Sequence, residues 1–253
     1  MFNISAEEYW ERWYAAIRER YSVRQFDGRP VEDKDMAQLH DCASMLREVF
    51  DDIRIAIVPV EEDGLADAVD GIKGARRIAA FIGSADGEQI RSRIGFLGEL
   101  FLLECTCLDL KTCWVGGAFD KHYCSQIFEI GEDEVIYAVS PIGYSDAVPS
   151  DTHDDRLPMK ELCEPEEYEQ AVPAVQEALQ SARLAPSSMN RQPWKFILEA
   201  GEIRIEKRLH LSLGNKILEM DNGIAAAHIE AVLRQNGIRG TWAFLPDTIV
   251  CTY

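Results

Sequence analysis

Arg20, Ser22 and Arg24 stand at alternate positions in RYSVRQF, residues 20–26. In an extended segment alternate residues share one side of the backbone, so two guanidinium forks and a hydroxyl face together. Such a set suits a phosphate monoester, because arginine binds its oxygens bidentately with charge assistance. It would also serve as a solvated basic edge pairing with the chain's many carboxylates. A second polar set lies in SARLAPSSMNRQPWKFIL, 181–198, where Ser187, Ser188, Asn190 and Gln192 crowd one short connection. A connection this polar either satisfies its own backbone or holds a ligand. Gly116-Gly117, in TCWVGGAF, would let backbone approach a flat ligand, or simply make a turn. Arg156 and Lys160 add positive charge to an acidic stretch, where basic residues are ordinarily surface groups. No side-chain pair reads as a catalytic dyad, so no catalytic residue and no metal ligand is assigned.

The elements that must position these residues are readable from periodicity. Ser5-Ala-Glu-Glu8 forms a capping box, and Trp10, Trp13, Tyr14 and Ile17 follow at helical spacing. A second helix after Pro30 presents Met36, Leu39, Ala43 and Leu46. Strands are expected at 53–60, 78–83 and 134–144, with a helix over about 93–109 between the last two. An irregular polar segment, 145–163, leads to a helix near 165–184, strands near 194–199 and 202–208, a helix from Asp221 to Gln235 and a last strand. Asp221 is expected as the N-cap of its helix. Gln192 and Trp194 read as anchors of loop and core, His228 as a packing residue, and Glu99 as a partner in an interhelical hydrogen bond. The mixture lacks regular βα alternation and implies an α+β fold, with helices on a mainly antiparallel sheet.

Self-comparison reveals an internal repeat. Gly95 and Trp114 stand at the same spacing as Gly223 and Trp242, offset by 128 residues. Upstream, Leu39 and IAIV (55–58) align with Leu179 and KFIL (195–198) at an offset of 140. The expected division is therefore into two related halves, 1–163 and 164–253, folded as one unit.

The formal net charge of -18 argues against nucleic acid and anionic membranes as partners. No apolar run approaches the roughly 20 residues that span a bilayer, and the acidic N-terminus lacks the pattern of a signal peptide. The seven cysteines show no paired spacing and are expected as free thiols, which points to the cytoplasm.

RYSVRQF, Trp-Val-Gly-Gly, the IGY strand end followed by Arg156, and LAPSSMNRQPW together resemble the nitroreductase-like flavoproteins. In that family the Arg-x-Ser-x-Arg and Ala-Pro-Ser-x-x-Asn-x-Gln-Pro-Trp segments usually lie close together, and two subunits intertwine around FMN. Here the segments fall on different repeats. That arrangement resembles the single-chain branch, the putative TM nitroreductases, in which one chain imitates the dimer. The resemblance implies one FMN per chain. Arg20, Tyr21, Ser22 and Arg24 would hold its phosphate and ribityl end, with Arg156 adding charge. Pro186, Ser187, Ser188 and Asn190 would line the flavin from the other half, and Gly116 and Gly117 would bring backbone to the redox edge.

The function so implied is hydride transfer from NAD(P)H through FMN to a small-molecule acceptor such as a nitroaromatic or quinone, with a monomer sufficient for the site. Its rivals are a non-catalytic FMN-binding or flavin-sensing protein, and a duplicated fold that has lost its flavin and serves in assembly.

Overall fold

Eight strands assemble into two four-stranded sheets, antiparallel throughout, in the computed structural model, which describes residues 7–147, 155–208 and 215–253. The first sheet contains β1 (Ile53–Pro59), β2 (Arg77–Ser84), β3 (Lys111–Thr112) and β4 (Glu134–Gly143), in the order β1-β2-β4-β3. The second contains β5 (Trp194–Glu199), β6 (Glu202–Lys207), β7 (Thr241–Leu245) and β8 (Thr248–Thr252), in the order β5-β6-β8-β7. The two sheets thus repeat one strand order. β2 and β4 are buried almost end to end, which is why they read as near-continuous apolar runs. β6 alternates, burying Ile203 and Ile205, as a strand covered on one face does.

Nine helices accompany the sheets among the described residues: α1 (Glu7–Ala16), α2 (Asp33–Arg47), α3 (Glu62–Ala68), α4 (Ile90–Cys107), α5 (Lys121–Ile127), α6 (Met159–Leu162), α7 (Pro165–Gln170), α8 (Pro173–Arg183) and α9 (Asn215–Gln235). The fold is α+β, as expected. Ser5, the expected cap of α1, lies outside the described residues, while Trp10, Trp13 and Ile17 are buried as their spacing requires. Three expectations need correction. The single helix near 165–184 is two, because Pro173 supplies no N–H to continue α7 and holds Val172 in an extended conformation (φ -62°, ψ 150°). The last strand is the hairpin β7–β8, which turns through Asp247 at φ 66°. The last helix begins at Asn215, so Asp221 lies inside it and is not its N-cap.

The chain divides into two compact units interleaved along the sequence. One takes the described parts of 1–18, 91–100 and 153–253, the other 19–90 and 101–152. In the second unit Phe81 stacks on Trp114 at 4.5 Å and meets Phe101 edge-on at 6.3 Å. In the first, the Trp242 indole donates to Glu230 at 2.7 Å, so that a buried carboxylate satisfies a buried N–H.

Also in the first unit, α4 and α9 cross with no side chain between them. A Cβ built on Gly95 would fall 2.1 Å from the Met220 carbonyl oxygen, and one on Gly223 would fall 1.9 Å from that of Ser92. The contact is reciprocal. The 128-residue offset that relates Gly95 to Gly223 also relates Ser92 to Met220 and Phe96 to Ile224, the remaining neighbours at the crossing. One turn further along α4, Glu99 meets His228 Nε2 at 3.0 Å, both side chains being fully buried. The His228 Nδ1–H donates to the Ser181 carbonyl at 2.9 Å. Both residues therefore do what their sequence positions implied: an interhelical bond and a satisfied packing histidine.

Since backbone rather than flexible side chain obstructs each Cβ, Gly95→Ala and Gly223→Ala should force the helices apart. A loss of about 2 kcal/mol or more is expected in denaturant unfolding. An alanine variant as stable as the wild type would show that the crossing yields freely.

Candidate functional site

The candidate residues fall into two sets, one in each unit. In the second unit, Arg20, Tyr21, Ser22 and Arg24 lie on a segment at the edge of the first sheet, where Ser22 bridges Thr112 of β3 in parallel and the Val23 N–H donates to the Thr112 carbonyl at 2.8 Å. The next turn of pairing, Phe26 N–H to the Lys73 carbonyl at 2.8 Å and Lys73 N–H to that of Arg24 at 3.1 Å, keeps the segment extended. Val23 is buried while Ser22 is half-buried and Arg24 exposed, so the alternation read from the sequence holds over 22–24. Arg20 is almost wholly buried. Around the Cys113 thiol, burial raises the pKa, while the guanidiniums of Arg24 and Arg20 and the Ser22 hydroxyl pull it back. That influence places both arginines and the serine about one point beside β3.

The Arg24 guanidinium makes no hydrogen bond or ion pair with any described residue, although the chain carries 44 acidic side chains that could take it. A basic edge serving only as a carboxylate partner would not leave it so. Lys111, on β3, lies beside this patch, its ammonium 5.6 Å from the Tyr21 ring centroid but paired with Asp109 at 2.8 Å. Gly116 and Gly117 follow β3 by a few residues, both exposed, and no protein atom lies within 4 Å of a Cβ built on either. Neither needs a positive φ, so the protein's own packing does not demand glycine there. The open space leaves the backbone approachable.

In the first unit, α8 ends at Arg183 and the chain passes through buried Ala185 and Pro186 into a 3-10 turn, Ser188–Asn190. Met189, Asn190 and Gln192 all adopt left-handed backbone (φ 54°, 54° and 48°). For residues other than glycine that conformation costs about 1 kcal/mol or more each. A network of bonds offsets the cost. Arg156 donates to Asn190 Oδ1 at 2.8 Å and to the Leu184 carbonyl at 3.3 Å. The Asn190 amide donates to the Asp155 carbonyl at 3.1 Å. Gln192 accepts from the Leu157 N–H at 2.7 Å through its side chain, and its own N–H donates to Ser187 Oγ at 2.9 Å. Gln192 is thus the loop anchor expected of it. Arg156, read as added charge for a phosphate, is buried and engaged with Asn190, so its guanidinium organises the turn. Met189 projects outward, 80% exposed, and the Ser188 hydroxyl bonds to no described residue.

The Ser188 N–H donates to both carboxylate oxygens of Asp221 on α9, at 3.1 and 3.2 Å. Asp221 is buried. Desolvation pushes its pKa up to about 7, against the opposing pull of the Ser188 N–H and Arg191. Sequence reasoning missed this contact and the Lys111–Tyr21 pair. Lys111 could have been found, since it sits two residues before Cys113 on the strand that Ser22 joins. Nothing local marks Asp221 as a partner of a turn so distant in the chain.

A family model described as Putative TM nitroreductase matches residues 12–232. No curated protein matches the chain at a significant level. A solved structure described as a putative nitroreductase from Thermotoga maritima MSB8 is similar over 95% of this chain and 93% of its own, at 20% identity and a TM-score of 0.64. A nitroreductase family protein from Clostridium difficile 630 covers 61% of this chain and 97% of its own, at 20% identity and a TM-score of 0.49. An FMN-dependent nitroreductase from Clostridium difficile R20291 covers 58% and 95%, at 15% identity and 0.48. The likeness to the first of these establishes the shared fold.

The raised pKa of Asp221 has a definite sign for stability. The unfolded chain releases this proton near the ordinary carboxyl value of about 4, whereas the folded chain keeps it until about 7. Folding thus loses stability as pH rises through that window and levels off above it. Asp221→Asn carries no such charge. Its melting temperature relative to wild type should therefore climb from pH 4 to pH 8, and a flat difference would contradict the burial argument.

Proposed function

The chain belongs to the putative TM nitroreductase family, and on that premise we propose that it is an FMN-dependent oxidoreductase that passes hydride from NAD(P)H to a small acceptor of the nitroaromatic or quinone type. The observation that carries the reading is Arg24, exposed beside Ser22 and Arg20 without a carboxylate partner among the described residues. The donor set fits the terminal phosphate of FMN: two guanidinium forks and a hydroxyl. The space over Gly116 and Gly117 suits a flat ring system that must come close to backbone.

Bound flavin would supply the two-electron chemistry itself. The chain's share is orientation and electrostatics. Arg20, Ser22 and Arg24 would fix the phosphate end, and Tyr21 the chain leading from it. Pro186, Ser187, Ser188 and Asn190 would present the turn of the first unit to the ring, with Arg156 holding Asn190 in place. No side chain is needed as general acid or base. The repeated strand order and the reciprocal Gly95–Gly223 crossing support the further reading that one chain stands in for a family homodimer, with one flavin per chain. A cytoplasmic monomer is consistent with this scheme, and no described helix is long and apolar enough to cross a membrane.

The visible spectrum of gently purified protein, before and after FMN is added and the excess removed, is the direct test. Retention near one equivalent, followed by steady NAD(P)H oxidation with a quinone, is the expected result. Retention without turnover would favour flavin storage or sensing, and no retention would remove the flavin reading. Arg20→Ala and Arg24→Ala should each weaken FMN binding by about 1.5–3 kcal/mol, the scale of a hydrogen bond to a charged group. Unchanged affinity in both would refute the phosphate assignment.

A further inference from the structure

Segment 181–188 is held to α9 at two points, both made by buried ionisable side chains. His228 donates to the carbonyl of Ser181 in the last turn of α8, a carbonyl that the Leu184 N–H also reaches at 3.0 Å. Asp221, seven residues earlier and so on the same face of α9, accepts the N–H of Ser188 at the start of the 3-10 turn. Between these points the chain leaves α8, and the left-handed residues Met189, Asn190 and Gln192 follow directly after the second. α9 itself is fixed by the Gly223 crossing, two residues from Asp221.

We propose that Asp221 is a positioning residue for the cofactor turn: by holding the Ser188 N–H it sets how Ser187, Ser188 and Asn190 are presented, and the strength of that hold depends on its charge. The inference rests on the reading that this turn lines FMN. A carboxylate binds an amide N–H more strongly than a neutral carboxyl does, because the bond to the ionised acceptor is charge-assisted. The turn is under left-handed strain, so a weaker hold leaves more of its population in other conformations. From the turn, Arg191 faces Asp221 and favours its charge, and no other described charged group acts on it. Burial opposes the charge strongly enough to bring its titration to about 7, within the range that solution pH can sample. Asn222, next along α9, is buried with its side-chain oxygen unpaired among the described residues. Among the described residues the Ser188 N–H is the donor to Asp221.

The full chain allows a test in which cofactor and clamp are read separately. In wild type and Asp221→Asn, the Ser188 amide shift and its hydrogen exchange are followed from about pH 5 to about pH 9, and FMN affinity is titrated over the same range. A phosphate monoester changes charge near pH 6, so the quantity read is the ratio of variant to wild-type affinity, in which that titration cancels. The Ser188 amide shift should titrate in wild type and stay flat in the variant. The variant should bind FMN as wild type does at low pH and about fivefold more weakly at high pH, the step from a charged to a neutral hydrogen bond. A merely structural role would lower affinity equally at every pH, and a flat ratio would overturn the proposal. So would a Ser188 amide indifferent to pH in wild type, which decides the matter even if the variant does not fold. Wild type that takes up no FMN while its Ser188 amide titrates would overturn the functional reading, and with it the role in presenting the turn, leaving only the clamp.

Discussion

Two backbones in direct contact set the geometry of the first unit. Where Gly95 of α4 meets Gly223 of α9, each glycine faces a carbonyl of the other helix at a distance that no Cβ could share. Helices usually pack through side chains at 8–10 Å, and their registers can slide a little. A crossing built on bare backbone cannot. The glycines carry a helix-propensity penalty of about 1 kcal/mol each, which the close approach must more than offset. Beyond the crossing, Glu99 and His228 add a second fixed point. The Ser181 carbonyl can only accept, so His228 Nδ1 carries the hydrogen. Nε2 then meets Glu99 at 3.0 Å, so two fully buried ionisable groups satisfy each other instead of standing isolated.

Because α9 is fixed in this way, whatever it touches inherits the precision. Asp221 and His228 reach the two ends of one connecting segment, and Arg156, Asn190 and Gln192 tie the turn to the stretch before α6. The turn is strained but over-determined. Residues are tolerated in left-handed backbone only where surrounding bonds hold them, and such places are often functional. The crowd of polar residues that first drew notice therefore serves two ends. Ser187, Asn190 and Gln192 satisfy the loop, and the rigidity so gained fixes where the unbonded Ser188 hydroxyl and the exposed Met189 point.

What was legible in the sequence follows from this physics. Long periodic elements such as α2, α4, β2 and β4 were readable because burial writes its period into the apolar positions. The extended Ser22–Arg24 stretch was readable for the same reason, since Val23 turns inward where Arg24 does not; the burial of Arg20 was not. The break before Pro173 was signalled by the proline, but the apolar positions on either side masked it. The short α3 and α5 carry only seven residues each, too few for a clear period. The start of α9 was misplaced because Asp221 looks like a cap. In fact its carboxylate bonds to a segment thirty-three positions away. In the sequence Gly95 and Gly223 show only a repeated spacing. The meaning of the spacing, a reciprocal crossing, required the two helices side by side.

The charge distribution poses the remaining question: why an anion should bind a chain of net charge -18 at all. Range resolves it. At physiological ionic strength the field of exposed charges is screened over about 8 Å, so most carboxylates on a chain of this size contribute little at any one site. A guanidinium fork acts at hydrogen-bond distance, where screening is weak and charge assistance is strongest. Arg24, with no carboxylate in reach among the described residues, keeps its full donor capacity for an incoming oxyanion. An arginine already in an ion pair would have to break one bond to make another. The net charge should therefore slow the approach of an anionic ligand while the local donors decide how tightly it stays, so that added salt speeds association more than it loosens the complex.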